Sequence, residues 1–518
     1  MKKIITLSVL LVSGITFAQA SLETVVEPNP TVMKYAETIT VEDMKEDLTI
    51  LASDALEGRE TGKRGQKMAA AYIRAHFEEL ALEAPVSLGD RKSYYQDVNL
   101  KSSKAGDIFL KIGETTLVNV KDFLYYGDAM NTDEISTEVV FVGSGSEKEF
   151  ENVDIEGKSV LAINSDRRER RKILERAKDK GAEMTFIVRF NNDEEFTSFI
   201  KRYGSYFSRS SLELDIEDEV NAEEGAFYIS PSTAGEIFEK PFENLTTAIK
   251  DFNKGKQKAL KKIKSKKVDY KISFVSKKII SENVLGYLEG SDLKDELLVI
   301  TAHYDHLGMH DGKIYNGADD DGSGTVALMD IAEAFVQAKN EGNGPRRSIL
   351  FMAVTGEEKG LLGSAFYAEK PIFPLENTVA DLNLDMIGRI DDRGIENSDN
   401  YVCLVGSDKL STELHELSER MNSTYTNLFL DYTYNDENHP ERIYYRSDHW
   451  NFAKNGIPVI FYTTGSHPDY HKESDTVDKI EFELMRKRAQ LVFYTAWEIA
   501  NRDGRLIVDK KMDPNAKR

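Results

Sequence analysis

The stretch Leu297-Leu298-Val299-Ile300-Thr301-Ala302-His303-Tyr304-Asp305-His306 decides the fold. A nearly unbroken apolar run stops abruptly at two histidines and an aspartate. A strand buried on both faces reads as such a run, without polar alternation. The same grammar recurs at 348–354, 379–384, 401–405 and 458–462. Helical stretches are predicted between several of these runs, at 323–339, 361–368 and 410–421. Alternating buried strands and helices imply an α/β fold, with a mixed, mostly parallel sheet sandwiched by helices.

The polar residues sit where the runs end. The 348–354 run leads into Thr355-Gly356-Glu357-Glu358, and the 379–384 run into Asp385. The last run is followed by Tyr470-His471-Lys472-Glu473-Ser474-Asp475-Thr476. Open α/β sheets bind ligands beyond the carboxyl ends of their strands. Four strands therefore bring His, Glu, Asp and His to one edge. Between them lies Asn316-Gly317-Ala318-Asp319-Asp320-Asp321-Gly322-Ser323-Gly324, whose glycines permit tight turns ahead of a helix. Taken singly, each piece has an ordinary reading: a surface His–Asp pair, a turn, a solvated Glu pair. Asp385 has the least ordinary one, because a lone buried carboxylate is costly. Together they read as a metal site, and eight of the nine histidines fall between His303 and His471.

Upstream, 41–82 is predicted helical, with Thr40 as N-cap and a polar turn at Glu57-Gly58-Arg59-Glu60-Thr61-Gly62. From about 105 to 235 short β-like runs appear at 107–112, 138–142, 159–163 and 185–188. A helix-like 168–180 precedes Gly181-Ala182. This segment reads as an inserted small β-rich domain. Twelve lysines crowd 250–278, and 268–275 alternates like a half-buried strand. A solvated linker and exposed hairpin account for them better than a site for an anionic polymer.

Residues 1–20 have a basic start, an apolar core and a small-residue end at Ala18-Gln19-Ala20. They read as a secretory signal, which implies export to the periplasm or beyond. No later run is apolar enough for a membrane span, and no stable membrane anchor is expected. Cys403 is the sole cysteine, which excludes an intrachain disulfide and a cysteine-based zinc site. A formal charge of −22 argues against nucleic-acid binding. The motifs His-Glu-x-x-His and Gly-x-Ser-x-Gly are absent. The expected organisation is a signal at 1–20, segments of the main α/β domain at 21–104 and 275–505, an insert with linker at 105–274, and a tail at 506–518. The oligomeric state is left open.

Five segments carry a specific resemblance. They are Ala302-His303-Tyr304-Asp305-His306, Gly317 to Gly324, Gly356-Glu357-Glu358-Lys359-Gly360-Leu361-Leu362-Gly363-Ser364, Leu384-Asp385-Met386, and Tyr470-His471 followed by Asp475-Thr476. These resemble the signature segments of metallopeptidase family twenty-eight, a family of co-catalytic di-zinc aminopeptidases and carboxypeptidases. The Leu56-Glu57-Gly58-Arg59 turn resembles its N-terminal part, and the insert a protease-associated domain. The resemblance implies that Asp320 bridges two zinc ions. It gives His303 and Asp385 to one ion, Glu358 and His471 to the other, and a cis peptide between Asp320 and Asp321. Glu357 would be the general base and Asp305 would orient His303. Tyr470 or Tyr444 would donate to the oxyanion, and Asp448 would lie by the pocket. The implied substrates are peptides, cut at the N-terminal residue. A carboxypeptidase on the same scaffold would need a cation, with Arg389, Arg442 and Arg446 as candidates. A non-catalytic binding protein is the remaining reading.

Overall fold

The computed structural model describes residues 27–127, 130–166, 168–208, 210–216, 225–395, 398–436 and 438–512. The expected signal at 1–20 lies outside the described residues, as does 513–518 of the expected tail.

Strand Leu293–His303 is central to one part of the sheet, with Arg347–Val354 on one side and Thr378–Leu384 on the other, both parallel to it. Val459–Thr463 continues parallel beyond Thr378–Leu384, and Tyr401–Val405 then runs antiparallel. Every residue of Arg347–Val354 and Thr378–Leu384 is buried. That double burial is why these strands read as continuous apolar runs. Helices cover both faces. On one, Phe335 of helix Gly324–Asn340 packs with Phe493 and Trp497 of helix Phe482–Asn501, and N-terminal residues such as Leu48, Ile73 and Phe77 join this core. On the other, Tyr367, Trp450 and Phe452 pack with Val299, Leu350, Met352 and Cys403.

The 22-residue strand Lys267–Leu288 extends the sheet. Its carboxyl end pairs with Arg347–Val354, its length with Tyr95–Ile112, and its amino end with Asn131–Phe141. From there Asn131–Phe141, Ser159–Ile163, Thr185–Val188 and Ala226–Ile229 run parallel around a second core that includes Phe141, Leu161, Phe186, Phe227 and Tyr270. The 268–275 alternation holds, with Val268, Tyr270 and Ile272 inside. Helix Asp193–Ser208 also occupies the segment read as β-rich, and helices Pro231–Phe238 and Phe242–Asn253 follow at its end. Helix Phe482–Asn501 was likewise not assigned from sequence. Its apolar stripe is interrupted by Arg488, which is buried and donates to the carbonyls of Tyr401, Ile387 and Arg389 at 2.8, 2.7 and 2.9 Å.

The predicted N-terminal helices are Val41–Leu51 and Arg64–Glu79, and Thr40 Oγ1 accepts from the Asp43 N–H at 3.1 Å as a cap. Between them Glu57, Gly58 and Arg59 all take positive φ. A Cβ on Gly58 would stand 2.4 Å from the Tyr315 carbonyl oxygen, so only glycine allows this turn to press so close. The turn delivers Arg59 into the interior. Its guanidinium donates to the carbonyls of Tyr304 (2.8 Å), Leu51 (2.7 Å), Asn316 (2.6 Å) and Gly317 (2.9 Å). The Tyr304 and Asn316 carbonyls lie in loops and the Leu51 carbonyl at a helix end, so they need a donor, while the Gly317 carbonyl also accepts from the Gly322 N–H at 3.2 Å. Arg59→Met should cost at least about 3 kcal/mol, because it strands several buried acceptors at once. Urea denaturation of the variant and the parent checks this.

Candidate metal centre

All five expected ligand residues converge at the carboxyl edge of the parallel strands. His303 ends its strand, Asp385 follows Leu384, and Glu357 and Glu358 follow a turn at Gly356, whose φ is +71°. His471 reaches in from the loop after Val459–Thr463.

The structure sorts the Asp319-Asp320-Asp321 triplet. The Asp320–Asp321 peptide is cis, as expected. Asp321 accepts the backbone N–H groups of Gly324, Met386 and His303 at 2.8, 3.1 and 3.2 Å, so its carboxylate is committed to scaffolding. Asp319 accepts from the Gly388 N–H at 2.6 Å and lies 3.2 Å from His467 Nε2. The backbone N–H groups of Asp319 and Asp320 both donate to Asp475. Of the three, Asp320 turns its carboxylate to both His303 and His471. Its Oδ1 is 3.3 Å from His303 Nε2 and its Oδ2 is 3.1 Å from His471 Nε2. Burial works against a charge on Asp320, yet His303 and His471 outweigh it and hold its carboxyl well below the usual range.

Two sets of donors flank Asp320. His303 Nε2 lies 3.5 Å from Asp385 Oδ1, and His471 Nε2 lies 3.2 Å from Glu358 Oε2. Donors held about 2.0–2.2 Å from a tetrahedral ion would be roughly 3.3–3.6 Å apart, and the observed edges fall at or just under this spacing. His303 Nε2 and Asp320 Oδ2 are buried without a hydrogen-bond partner. Buried polar atoms are seldom left so unless a ligand completes them. Imidazole and carboxylate donors suit zinc, so the residues fit the ion that the resemblance implies.

Surrounding contacts fix these side chains. Ser447 Oγ donates to Asp385 Oδ2 at 2.6 Å and accepts from Asn383 Nδ2 at 2.9 Å. His303 Nδ1 faces the backbone carbonyl of Asp305 at 3.1 Å. Asp305 thus meets the His303 ring through its main-chain carbonyl. Its carboxylate lies 3.9 Å from that nitrogen and instead accepts from Thr61 Oγ1 (2.6 Å) and the Glu357 N–H (3.2 Å). Glu357 itself makes no such contact to a histidine, its Oε2 lying 3.9 Å from His303 Nε2. Burial, with Glu358, Asp385 and Asp448 adding to it, pushes its carboxyl well up despite His303. Asp448 is buried beside Ser364 and pushed up to about 7 by burial.

A cleft opens over these groups, lined by Asp320, Glu357, Asp385, Met386, Arg446 and Tyr470 among others. Tyr470 stacks on His471, with ring centroids 3.9 Å apart. Tyr444 does not line the cleft; it is buried edge-on against Trp450. Of the three arginines considered, Arg446 alone reaches the cleft. Arg389 bonds Asp469 at 2.9 Å and Arg442 stacks on Tyr445. His306, Asp475 and the Arg59 clamp have no role in the sequence analysis. His306 stood in a quoted motif, but a motif does not say where a side chain points.

Comparison with known proteins agrees with this geometry. Residues 283–496 match the model of Peptidase family M28. The chain is 31% identical over 215 residues to a protein of Arthroderma otae named "Probable leucine aminopeptidase", covering 40% of this chain and 55% of that one. It is 27% identical over 259 residues to a "Probable zinc metalloprotease" of Pyrenophora teres f. teres, covering 42% and 51%. The chain thus spans about half the length of the curated relatives it matches. The solved aminopeptidase from Aneurinibacillus sp. strain AM-1 shares the fold, with a TM-score of 0.54 at 18% identity, covering 94% of this chain and 100% of that one.

Gly317 allows the triplet loop to close. Its φ is +56°, and a Cβ there would lie 2.2 Å from the Asp320 carbonyl oxygen and 2.5 Å from the His306 ring. Gly317→Ala should cost at least about 2 kcal/mol from left-handed strain and overpacking. Thermal unfolding of the variant beside the parent measures it.

Proposed function

We propose, for a chain whose residues 283–496 belong to Peptidase family M28, that this protein is an exported zinc aminopeptidase. The observation that carries the reading is the convergence of His303 with Asp385, and of His471 with Glu358, on opposite oxygens of Asp320. In this reading Asp320, His303 and Asp385 would hold one zinc ion, and Asp320, Glu358 and His471 would hold a second. Two zinc ions bound there would acidify a water and offset charge on the tetrahedral oxygen.

The chain's own residues do the rest. Glu357 lines the cleft without being among the assigned ligands, so it is free to accept the attacking water's proton and return it to the leaving amine. Tyr470 lines the same cleft and is assigned the oxyanion donor in preference to Tyr444. The acidic floor favours an N-terminal ammonium over a C-terminal carboxylate. Arg446 is the one observation favouring a carboxypeptidase, and its neighbour Glu441, 3.7 Å away, offsets it. Residues 21–104 and 275–505 form the peptidase unit in this proposal, with 105–274 as a protease-associated-like accessory. Export rests on the 1–20 leader. Among the described residues no helix is long and apolar enough to cross a membrane.

The adjacent glutamates separate the roles. Glu357→Gln keeps size and hydrogen bonding but removes basicity, so it should retain zinc while turnover falls at least about a hundredfold. Glu358→Ala should instead weaken metal binding. Metal content and steady-state peptide hydrolysis on the same preparations test both. Near-normal turnover in Glu357→Gln would sink the mechanism, and zinc loss there with zinc retained in Glu358→Ala would reverse the assignment.

A further inference from the structure

His306 is a buried imidazole that the five assigned ligands leave unexplained. Its side chain is fully enclosed, and neither ring nitrogen makes an aligned hydrogen bond among the described residues. Its Nδ1 stands 2.8 Å from Glu358 Oε1, while Asp320 Oδ2 is farther at 3.8 Å. The two distances to Glu358 differ in kind. His471 meets Oε2 at 3.2 Å, near the spacing of two donors on one ion, whereas His306 meets Oε1 at hydrogen-bond length.

The fold holds this ring deliberately. The His306 N–H donates to the Arg59 carbonyl at 3.2 Å, tying it to the same turn whose guanidinium clamps Asn316 and Gly317. Gly317, with no Cβ, lets the triplet loop lie on the ring. The ring therefore cannot swing away from Glu358 without moving the Asp320 loop.

We infer that His306 is a positioning residue for Glu358: an imidazole whose Nδ1–H would donate to Oε1 and so present Oε2 to the ion shared with His471 and Asp320. The inference rests on the di-zinc reading above. A carboxylate ligand with one oxygen bonded by a fixed donor has a single rotamer to offer, and loss of such outer contacts weakens metal binding by roughly 10–100-fold.

The test compares H306L with H306N. Asn and Leu are close in volume, so both leave the same space, but only Asn keeps an N–H near the Nδ1 position. Zinc is titrated into each apo-protein against a chromophoric chelator, and bound zinc is counted. The wild type should bind two ions. H306L should hold the His303–Asp385 ion normally and bind the other about 10–100-fold more weakly. H306N should stay within a few-fold of wild type. If both variants keep two ions at wild-type affinity, or both weaken equally, the positioning role is overturned while the di-zinc reading stands. A wild type that binds fewer than two ions overturns the di-zinc reading, and this inference with it.

Discussion

Asp320 offers one oxygen to His303 and the other to His471, and it does so inside a protein interior already crowded with carboxylates. Asp305, Asp319, Asp321, Asp385, Asp448, Asp475, Glu357 and Glu358 all lie around the same strand ends. Placing so many like charges out of water is unfavourable unless each finds a donor or a cation. The surrounding structure answers that demand. Asp321 is met by three backbone N–H groups, Asp319 by one together with Ser323 and His467, and Asp475 by the N–H groups of the triplet itself. Asp320 Oδ2 is among the oxygens left without a hydrogen bond, Asp320 lines the cleft, and the proposed ions would neutralise it.

The loops that carry these groups are irregular, so their carbonyls lack ladder partners. Two buried arginines supply the missing donors from outside the sheet. Arg59 comes from the N-terminal turn and binds the loops after His303 and before Asp319. Arg488 comes from the last helix and binds Ile387 and Arg389, in the loop after Asp385. A guanidinium is suited to this work because its fork of N–H groups satisfies several carbonyls at once. Elements that never touch the cleft thus set its geometry. Burial of Arg59 opposes its charge, and Asp321, Asp305 and Asp320 favour it, so the clamp and the acid cluster sustain each other.

Much of this was legible in the sequence because doubly buried strands leave a continuous apolar signature that stops where the chain meets the site. The strand ends at His303, Val354 and Leu384 were placed within a residue or two on that basis. Helix Phe482–Asn501 escaped because buried Arg488 and the neighbouring Arg486 and Lys487 break its apolar pattern. Arg59 and His306 escaped for another reason. Their importance lies in contacts across long sequence separations, such as Arg59 with Gly317 or His306 with Glu358. Local pattern carries no record of such meetings. The Asp305 expectation named a residue but no atom, and only coordinates distinguish its carbonyl from its carboxylate.

The central claim is that this acidic, metal-binding edge acts on peptides through a free N-terminus. The direct measurement is hydrolysis of one peptide presented free and N-acetylated, by zinc-loaded and by chelated protein. The account predicts release of the N-terminal residue from the free peptide alone, abolished by the chelator and restored by zinc. Equal cleavage of the acetylated peptide, or cleavage that survives complete metal removal, would contradict it.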